Sequence, residues 1–471
     1  MSTASGSAAR PLAVVILAAG QGTRMKSAHA KVLHELGGRP LVRHVLETVR
    51  VLAADRTVLV IGHQADAVRA ACSGLDVAFA LQAEQRGTGH ATAIARDACL
   101  SDFSGDVLIL YGDVPLLRAE TLTRLIHGHR ESGSSLSLLT TIVDEAAGYG
   151  RIVRDPSGRL ARIVEHKDAS EEERSLREIN PGIYCVESGF LFAALDRLRP
   201  DNAQRELYLT DIVAQAVTEE RGVRTEPSPA SEVEGINSRA DLAALEASLR
   251  DRVVARHMAG GVTFLDPRTA WIDDGVEIGP DTVIGPEVQI RGKSRIGRDC
   301  RIDGSAFLTD AELADRVHLR PLVVITESRI DSGAVIGPFA HLRPGTRLAR
   351  DVHIGNFVEV KKSVVGAGTK ANHLAYLGDA TIGSATNIGA GTITCNYDGF
   401  DKHPTVIGDR VQVGSDSQLV APVKIGDDAY IATGTTVRRD VPAGALAFNS
   451  KADRIRADWV AGFRQRKRGG G

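Results

Sequence analysis

The length, composition and charge of the chain exclude several classes of protein. At 471 residues the chain is too long for one ordinary hydrophobic core, so two or three domains are expected. Its 57 Lys and Arg residues balance 59 Asp and Glu residues, so the chain has no net positive charge that would attract nucleic acid or acidic membranes. No apolar run reaches the roughly 18 residues needed to cross a bilayer. The five scattered cysteines lack a CxxC pattern and indicate reduced thiols in a cytoplasmic protein.

Residues 1–11, rich in Ser, Ala and Gly, are predicted to be a disordered leader. Arg10 followed by PLAVVILAA has the charged end and apolar core of a secretory signal. The apolar run is short, however, and leads directly into GQGTRMK. This order is more typical of a strand, a glycine loop and the start of a helix.

Residues 12–237 alternate between apolar strands and helical stretches. Strands are predicted at 14–17, 58–61, 77–81 and 107–111, and helices at 41–53, 65–72, 88–98 and 119–129. This alternation predicts a parallel sheet with helices on both faces. Ligands of such sheets bind beyond the carboxyl ends of the strands, so the segments that follow the strands are the candidate sites.

The loop after the first strand combines glycines with basic residues. Gly20 and Gly22 offer backbone N–H groups suited to phosphate, and Arg24 and Lys31 add positive charge. The sequence matches neither GxGxxG nor GxxxxGK[ST]. A tight turn followed by a solvated basic helix is therefore an alternative interpretation.

Two further loops carry candidate ligands. Gly87-Thr88-Gly89, preceded by Gln82, supplies N–H donors and an amide able to bind a base edge. Asp113 follows the apolar strand LILY, where a Mg²⁺ ligand would lie. The same carboxylate could instead cap the turn before Pro115.

Residues 238–261 are predicted to form a linker helix, with Leu242, Leu245, Leu249 and Val253 on one face. This apolar stripe is expected to pack against the first domain; a binding site for a partner helix is the alternative. Ser238 and Asp241 form a capping pair at its start, which leaves Asn237 free for another role.

Residues 262–449 carry aliphatic residues on a six-residue grid. A helix would give spacings of three and four and an ordinary strand a spacing of two, so a strict six indicates a parallel β-helix. Three unbroken runs keep the period: Ile272, Ile278, Ile284, Ile290, Ile296, Ile302, Leu308; Ile330, Ile336, Leu342, Leu348, Ile354, Val360; and Ile407, Val413, Leu419, Ile425, Ile431, Val437. Glycine often follows the aliphatic residue, as tight corners would favour.

The grid is interrupted twice, between Val360 and Ile382 and between Ile388 and Ile407. The first interruption contains Lys361, Lys362, His373 and Tyr376, and the second contains Asn396 and Tyr397. We interpret these interruptions as the places where chemistry occurs.

These motifs together resemble a known family. LAAGQGTRMKS, LQAEQRGTGHA and LYGDVPLL are similar to sugar-nucleotidyltransferases, and GYGRIV, IVEHKDA and SEVEGIN follow in the same order. HLRPGTRL, HIGNFVEVKKS, ANHLAYLGDA and NIGAGTITCNYDG continue the similarity through the second half. The chain resembles the bacterial bifunctional N-acetylglucosamine-1-phosphate uridylyltransferase / glucosamine-1-phosphate N-acetyltransferase family.

The resemblance implies a Rossmann-like nucleotidyltransferase domain with a mostly parallel sheet, using UTP and Mg²⁺. Arg24 and Lys31 would act on the nucleotide phosphates as catalytic residues, and Asp113 and Asn237 would bind Mg²⁺. The residues implied to bind UTP or the sugar nucleotide are Leu17, Ala18, Ala19, Gly20, Lys31, Gln82, Gly87, Thr88, Tyr111, Gly112, Asp113, Gly150, Glu165, Asn180 and Asn237.

For the second domain the resemblance implies a left-handed parallel β-helix that transfers an acetyl group from acetyl-CoA. His373 would be the general base, since the ordinary pKa of histidine lies near working pH. Glucosamine phosphate would bind to Arg343, Lys361, Tyr376 and Asn387, and acetyl-CoA to Ala390, Asn396, Tyr397, Ser415 and Thr433. A homotrimer is also implied. A metal site at His341, His353 and His373 is an alternative that the neighbouring motifs disfavour.

The chain departs from the family pattern at three places. Ala30 precedes the loop lysine where the family usually has Pro, and Arg205 stands where it usually has Gly. Near the end, Ser450 or Lys451 replaces an Arg expected to contact the CoA phosphates, and residues 450–471 are predicted to be a basic solvated tail. Two other functions remain open: a single-activity pyrophosphorylase, and a non-enzymatic relative such as a nucleotide-exchange subunit.

Overall fold

The computed structural model describes residues 10–450 and 455–468. The chain divides into two compact units, with the division after Arg250.

The first unit is built of alternating strands and helices. Its strands are β1 Leu12–Leu17, β2 Glu35–Leu36, β3 Arg39–Pro40, β4 Arg56–Ile61, β5 Ala78–Leu81, β6 Asp106–Tyr111, β7 Leu136–Ile142, β8 Gly150–Arg154, β9 Leu160–Val164, β10 Glu178–Asn180, β11 Tyr184–Glu187 and β12 Val223–Pro227. Its helices are α1 Leu41–Arg50, α2 Ala65–Ala71, α3 Thr88–Ala95 with a π-helical continuation Arg96–Leu100, α4 Ala119–Ser132, α5 Glu171–Arg174, α6 Ser188–Leu195, α7 Asp211–Thr218 and α8 Ala230–Val233. Short 3₁₀ helices span Thr23–Met25 and Lys31–Leu33.

One large mixed sheet organises this unit, with the strand order β5-β4-β1-β6-β11-β7-β10-β8-β9 and β12 beside β7. The four predicted strands β1, β4, β5 and β6 pair in parallel, which confirms the parallel part of the sheet. Beyond β6 the sheet continues through β11, which is antiparallel to both of its neighbours. The candidate loops therefore lie together at the carboxyl ends of the parallel strands.

Apolar cores cover both faces of the sheet because the residues of β1 alternate between them. Ala13, Val15 and Leu17 belong to the core that contains residues of α3 and α6. Val14 and Ile16 face the opposite core. This two-sided burial explains why β1 is apolar at every position.

The predicted leader differs from the structure at its last two residues, and residues 1–9 lie outside the described part of the chain. The Arg10 guanidinium contacts the buried Asp106 carboxylate at 3.1 Å, and Arg130 donates to the Arg10 carbonyl at 2.5 Å. The amide of Asp106 donates to the Pro11 carbonyl. Arg10 and Pro11 are thus held in place at the start of β1 and do not belong to a disordered segment.

A long helix, α9, spans Arg239–Ala259 and contains the division between the units. Of the predicted apolar stripe, Leu245, Leu249 and Val253 are buried and Leu242 is partly buried. The amide of Ser238 donates to Asp241 at 2.8 Å and the amide of Asp241 donates to Ser238 Oγ at 3.2 Å, which confirms the capping pair.

The second unit is a parallel β-helix, consistent with the predicted left-handed form. Its described residues form three parallel sheets of eleven, ten and nine strands, and each of the first nine coils contributes one short strand to each sheet. The first sheet comprises Thr263–Phe264, Val283–Ile284, Arg301–Ile302, His318–Leu319, Val335–Ile336, His353–Asn356, Lys370–His373, Asn387–Ile388, Gln412–Val413, Tyr430–Ile431 and Leu446–Ala447. The second comprises Trp271–Ile272, Gln289–Arg291, Phe307–Thr309, Val324–Thr326, His341–Leu342, Glu359–Lys361, Tyr376–Gly378, Ile393–Cys395, Gln418–Val420 and Thr436–Val437. The third comprises Glu277–Ile278, Arg295–Ile296, Glu312–Leu313, Arg329–Ile330, Arg347–Leu348, Val364–Val365, Ala380–Ile382, Thr405–Ile407 and Val423–Ile425.

Most of the glycines that follow the inward aliphatic residues have a different cause from the one predicted; Gly337, with a φ of 95°, is the exception. A Cβ at Gly285 would lie 2.2 Å from the Asp303 carbonyl oxygen, and a Cβ at Gly355 would lie 2.0 Å from the Asn372 carbonyl oxygen. Neither glycine has a positive φ. These positions require glycine because the next coil approaches closely, and not because the backbone turns there.

The left-handed residues of the corners come two or three positions after the buried aliphatic residue. Asp299, Arg316 and Asp351 occupy such corners, with φ between 55° and 58°. The corners also place large apolar side chains outward, as at Phe339 and Phe357, whose rings stack with centroids 5.0 Å apart.

The first interruption of the grid is not a local distortion. It consists of two five-residue steps, Val360 to Val365 and Leu377 to Ile382, and of Ala371 at an inward position. The same short step joins Leu308 to Leu313, where no site residue was predicted. A short step is therefore not by itself the mark of a site, and the interpretation that chemistry occurs at this interruption stays a prediction.

The second interruption is a true insertion. The buried Thr394 takes the inward position of its coil, and the next inward residue on the third sheet is Ile407. Between them lies a loop that contains Asn396 and Tyr397, closed by a bridge between Tyr397 and Lys402.

The predicted C-terminal tail contains a helix, α10, over Trp459–Arg468. Trp459 and Phe463 stack at 5.1 Å. Ser450 is exposed, and Lys451 lies outside the described residues. The role predicted for these two residues near CoA stays a prediction.

We expect Gly285→Ala to lower the free energy of unfolding by about 1–3 kcal/mol, because its Cβ would collide with backbone that cannot move independently. The control is Gly189→Ala in α6, where the nearest atom to a new Cβ is Glu187 Oε1 at 3.9 Å and alanine favours the helix. Thermal unfolding of both full-length variants checks the difference. Equal midpoints for the two variants would contradict the account of coil spacing.

Candidate active sites

A cavity of about 360 Å³ lies at the carboxyl ends of β1, β5 and β6. Most of the residues predicted to bind nucleotide meet there. The lining comprises Leu17, Ala18, Ala19, Gly20, Lys31, Val32, Gln82, Gln85, Gly87, Thr88, Ala91, Tyr111, Asp113, Glu206 and Asn237. Gly112 lies directly beneath, where its amide donates to the Leu17 carbonyl at 2.9 Å.

Charged and amide groups converge at one end of this cavity. Lys31 Nζ forms an ion pair with Asp113 and contacts Asn237 Oδ1 at 3.3 Å. Arg24 Nη2 donates to the same Asn237 oxygen at 2.8 Å. Residues far apart in sequence therefore place two cations and two oxygen ligands around one point, as predicted for a phosphate and metal site.

The loop that carries Lys31 is held by contacts that the sequence did not reveal. Gly22 has a φ of 61°, and a Cβ there would lie 2.7 Å from Lys31 Cβ. Ala30 has a φ of −56°, which would suit the proline usual in the family. Here the Ala30 amide donates to Gln64 Oε1 at 2.8 Å, a bond that proline could not make. Gln64 thus constrains the loop before Lys31 in place of a proline ring.

The other end of the cavity is formed by Gln82 and the loop at Gly87-Thr88. Gln82 is buried and its amide donates to the Gly87 carbonyl at 3.3 Å. Gly87 has a φ of 103°, and a Cβ there would lie 2.6 Å from the Leu207 carbonyl oxygen. The amide of Leu209 donates to Thr88 Oγ1 at 3.1 Å. This end presents amide and hydroxyl groups of the kind that bind a base.

The loop around Arg205 holds this second end in place. Arg205 has a φ of 56°, which explains why glycine is usual at this position. Asn202 supports the turn, because its Oδ1 accepts from the amides of Gln204 and Glu206 at 3.2 Å. The departure at Arg205 is therefore accommodated in a left-handed turn.

The predicted sugar-binding residues form a neighbouring cluster outside the cavity lining. Gly150 and Asn180 are register partners on β8 and β10. The Glu165 carboxylate oxygens lie 3.6 Å from where a Cβ of Gly150 would be, and Thr210 donates to Glu165 at 3.0 Å. Burial raises the pKa of Glu165, partly offset by the Thr210 hydrogen bond.

Tyr111 connects this cluster to the cavity. Its ring lies against Gly182, where an added Cβ would approach Cε2 to 2.2 Å. The amide of Gly182 in turn donates to Asn180 Oδ1 at 3.0 Å. Burial raises the pKa of Tyr111, and the charges of Glu165 and Asp113 raise it further. The phenol therefore stays protonated between the two sites.

Sequence reasoning missed two polar residues of the cavity, Gln85 and Glu206. Gln85 lies in the quoted motif LQAEQRGTGHA, and its Nε2 donates to the Ala19 carbonyl at 3.2 Å. Glu206 follows Arg205 in a loop remote in sequence from the strands. No sequence pattern distinguished it from other surface acids.

A second group of predicted residues lies at one corner of the β-helix, between the first and second sheets. His373 is exposed, and its Nδ1 lies 2.9 Å from Asn356 Oδ1 on the previous coil. Ala390, Ser415 and Thr433 occupy the same corner on later coils, two residues after the inward Ile388, Val413 and Ile431. The amide of Asp416 donates to the Ala390 carbonyl at 2.7 Å, and that of Gly434 to the Ser415 carbonyl at 2.8 Å. Three of the five residues predicted to bind acetyl-CoA thus follow one edge of the prism, while Asn396 and Tyr397 lie in the inserted loop.

Three of the four residues predicted to bind the sugar phosphate, Arg343, Lys361 and Tyr376, follow the second sheet. Arg343 pairs with Glu359 at 2.7 Å, and Lys361 comes one coil later at the equivalent position. The pKa of Lys361 is lowered, first by its side-chain contact with Lys402 and then by the charges of Lys402 and Arg343. Arg343, Lys361 and Lys402 therefore form a cationic cluster suited to an anion.

Tyr376 and Asn396 border this cluster. The Tyr376 hydroxyl lies over Gly378, and Asn396 Nδ2 donates to Asp379 at 2.5 Å. The Tyr397 hydroxyl donates to the Gly399 carbonyl, and Asn387 lies on the first sheet. Among the described residues no hydrogen bond joins His373 or Asn387 to the cationic cluster. Lys402 was not predicted, because a lysine in an inserted loop has no distinguishing pattern.

Of the three histidines of the alternative metal site, His341 lies on the second sheet, and His353 and His373 lie on the first. In residues 10–450 and 455–468 no three His, Cys, Asp or Glu side chains converge as metal ligands.

Comparison with known proteins gives the same two parts. A MobA-like NTP transferase domain matches residues 14–211, and a bacterial transferase hexapeptide domain of six repeats matches residues 404–439. The "Bifunctional protein GlmU" of Pelobacter propionicus is 52% identical over 452 residues, which cover 95% of this chain and 98% of that protein. The proteins of the same name from Anaeromyxobacter sp. (strain Fw109-5) and Sorangium cellulosum are each 51% identical, over 96% and 93% of this chain. The chain belongs to the bifunctional GlmU family.

Membership in the GlmU family confirms the resemblance drawn from the motifs and the predicted fold class. It also confirms an enzyme with nucleotidyltransferase and acyltransferase parts, against a single-activity pyrophosphorylase and against a non-enzymatic relative. In the described part of the chain no helix is both long enough and apolar enough to span a membrane.

Proposed function

We propose that the two predicted sites of this bifunctional enzyme of UDP-N-acetylglucosamine synthesis are the cavity of the first unit and the His373 corner of the β-helix. The β-helix would acetylate glucosamine 1-phosphate with acetyl-CoA, and the first unit would join N-acetylglucosamine 1-phosphate to UMP from UTP. The observation that carries the proposal is the convergence of Arg24, Lys31, Asp113 and Asn237 on one point. These four residues come from three distant segments of the chain and have no common structural need to meet there.

In uridylyl transfer a phosphate oxygen of the sugar 1-phosphate attacks the α-phosphorus of UTP, and the bond to the departing pyrophosphate breaks. Such a reaction depends on positioning and on neutralising charge. Lys31 and Arg24 would stabilise the triphosphate at the charged end of the cavity, and the backbone of residues 17–20 would support it. Gln82, Gly87 and Thr88 would bind uracil, while Gly150, Glu165 and Asn180 would hold the sugar.

The oxygen ligands at the charged end fit a magnesium ion. Mg²⁺ prefers hard oxygen ligands and is usually bound by one or two protein groups together with substrate phosphates. Asp113 and Asn237 offer a carboxylate and an amide oxygen, and both contact the Lys31 ammonium, so they face a common cation position. When bound, the ion would neutralise charge on the reacting phosphates.

In acetyl transfer the glucosamine nitrogen attacks the thioester carbonyl of acetyl-CoA. A C–N bond forms, the C–S bond breaks, and His373 would take the amine proton and pass it to the leaving CoA sulfur. Arg343 and Lys361, with Tyr376 and Asn387, would hold the sugar phosphate. Ala390, Asn396, Tyr397, Ser415 and Thr433 would line the path of acetyl-CoA.

We also propose a homotrimer that works in the cytoplasm, where UTP and acetyl-CoA are made. The β-helix exposes an apolar ladder at its corners that another copy could cover. Leu322, Phe339, Phe357 and Leu374 form this ladder, and between 45% and 62% of each residue is exposed. A row of this kind on successive coils supports an interface between copies of the chain.

Asp113→Ala should reduce uridylyl transfer at least a hundredfold and leave acetyl transfer within twofold of the wild type, because only the first site loses its carboxylate. The two reactions are measured separately, by pyrophosphate release and by CoA release. The exposed Asp201→Ala in the same unit serves as the control. Wild-type UTP turnover by the Asp113 variant would contradict the assignment.

His373→Ala should reduce the rate of acetyl transfer about a thousandfold and leave the rate of uridylyl transfer unchanged. The reason is that the general base acts only on the amine. The matched control is His318→Ala on the same sheet, which pairs with Asp303 at 2.7 Å. Loss of both activities in a folded His373 variant would show that the two reactions do not use separate sites.

A further inference from the structure

The only polar partner of the His373 side chain within the described residues is Asn356, at 2.9 Å between Nδ1 and Oδ1. The two residues are register partners on consecutive coils, in the strands His353–Asn356 and Lys370–His373. Gly355 brings these strands together, because any Cβ there would meet the Asn372 carbonyl. The backbone, and not only the two side chains, therefore sets the separation.

This contact determines which ring nitrogen can act as a base. A neutral imidazole carries one N–H, and an amide oxygen can only accept a hydrogen bond. With Oδ1 facing Nδ1, the proton lies on Nδ1 and the lone pair lies on Nε2. Without this partner the exposed ring would exchange tautomers and turn about its own bonds.

We propose that Asn356 is a positioning residue for acetyl transfer, which holds His373 in the Nδ1–H tautomer so that Nε2 receives the proton of the attacking amine. The inference rests on the proposed role of His373. As the C–N bond forms and the C–S bond breaks, Nε2 takes the amine proton, and the Asn356 oxygen stabilises the N–H of the resulting imidazolium. The proton then leaves with the CoA sulfur.

A second histidine lies close enough to the His373 ring to interact with it electrostatically. His353 lies on the strand of Asn356, and its pKa is lowered by burial, then by Arg320 and Lys370, and also by His373. These neighbours are cationic or neutral, whereas the Asn356 oxygen is a hydrogen-bond acceptor beside the ring. His353→Gln is the control, because it shows whether the titration of His353 itself produces the acidic limb of the kcat–pH profile.

The test compares Asn356→Ala, Asn356→Asp and His353→Gln in the full-length chain. For Asn356→Ala we expect kcat of acetyl transfer to fall about 10–100-fold, as is typical when the group that orients a reactive histidine is lost. KM for glucosamine 1-phosphate and the rate of uridylyl transfer should stay within twofold. Uridylyl transfer reports whether the first unit is folded, and the unchanged KM reports whether the β-helix still forms its binding site.

Asn356→Asp tests the positioning role through the pH profile of kcat, which would not change if Asn356 had only a structural role. A carboxylate accepts from Nδ1–H as the amide does, but it also favours the charged ring. We expect it to restore most of kcat and to shift the acidic limb of the kcat profile to higher pH, while His353→Gln leaves that limb in place.

Three results would overturn the proposal. They are an unchanged kcat in Asn356→Ala, a rise in KM without a fall in kcat, and an Asp variant whose acidic limb does not move. Absence of acetyl transfer in the wild-type protein would instead remove the proposed function itself, so the two failures are distinguishable.

Discussion

Close stacking of successive coils is the constraint on which the second unit depends. Each coil buries one inward residue per face, and its backbone bonds to the coils before and after it. The spacing leaves no room for a Cβ at Gly285 or Gly355. The same stacking aligns Ala390, Ser415 and Thr433 along one corner and sets Asn356 against His373. A scaffold this regular turns residues many positions apart in sequence into neighbours at a fixed distance, which is what a proton transfer requires.

In the first unit the main feature is a group of charged side chains at the carboxyl ends of the parallel strands. Its parallel strands end at the same edge, so the loops that follow them meet there. Lys31 and Arg24 share the oxygens of Asp113 and Asn237, and each polar group in the cluster has a partner of opposite character. Glu165 and Tyr111 stand apart from this charged end, buried and with raised pKa values. The unit thus separates a strongly polar phosphate end from a drier sugar side.

Many elements of the fold could be predicted from the sequence, because they depend only on patterns among neighbouring residues. The strands β1, β4, β5 and β6 appear as short apolar runs between helical stretches, and the three aliphatic runs keep a strict period of six. The Ser238–Asp241 cap was likewise visible from spacing. The pairing beyond β6 was not, because antiparallel strands depend on partners remote in sequence. Ala371 and Thr394 concealed the continuing grid, since a small and a polar residue can fill an inward position when the neighbouring coils close around them.

Single residues were hardest to predict where their role depends on another segment. Gln64 constrains the loop at Ala30 from 34 residues away, and Glu206 reaches the cavity only because its loop packs against Gly87. Lys402 joins Lys361 through an inserted loop. Motif similarity named the groups that meet substrates, but the residues that hold those groups in place carry no signature of their own.

The central claim is that one chain carries out both transfers in succession. The most direct measurement is mass spectrometry of the products formed from glucosamine 1-phosphate, acetyl-CoA, UTP and Mg²⁺ by the purified full-length protein. The account predicts UDP-N-acetylglucosamine, with one CoA and one pyrophosphate released for each molecule formed. Accumulation of N-acetylglucosamine 1-phosphate without the nucleotide sugar, or no acetylated product at all, would contradict it.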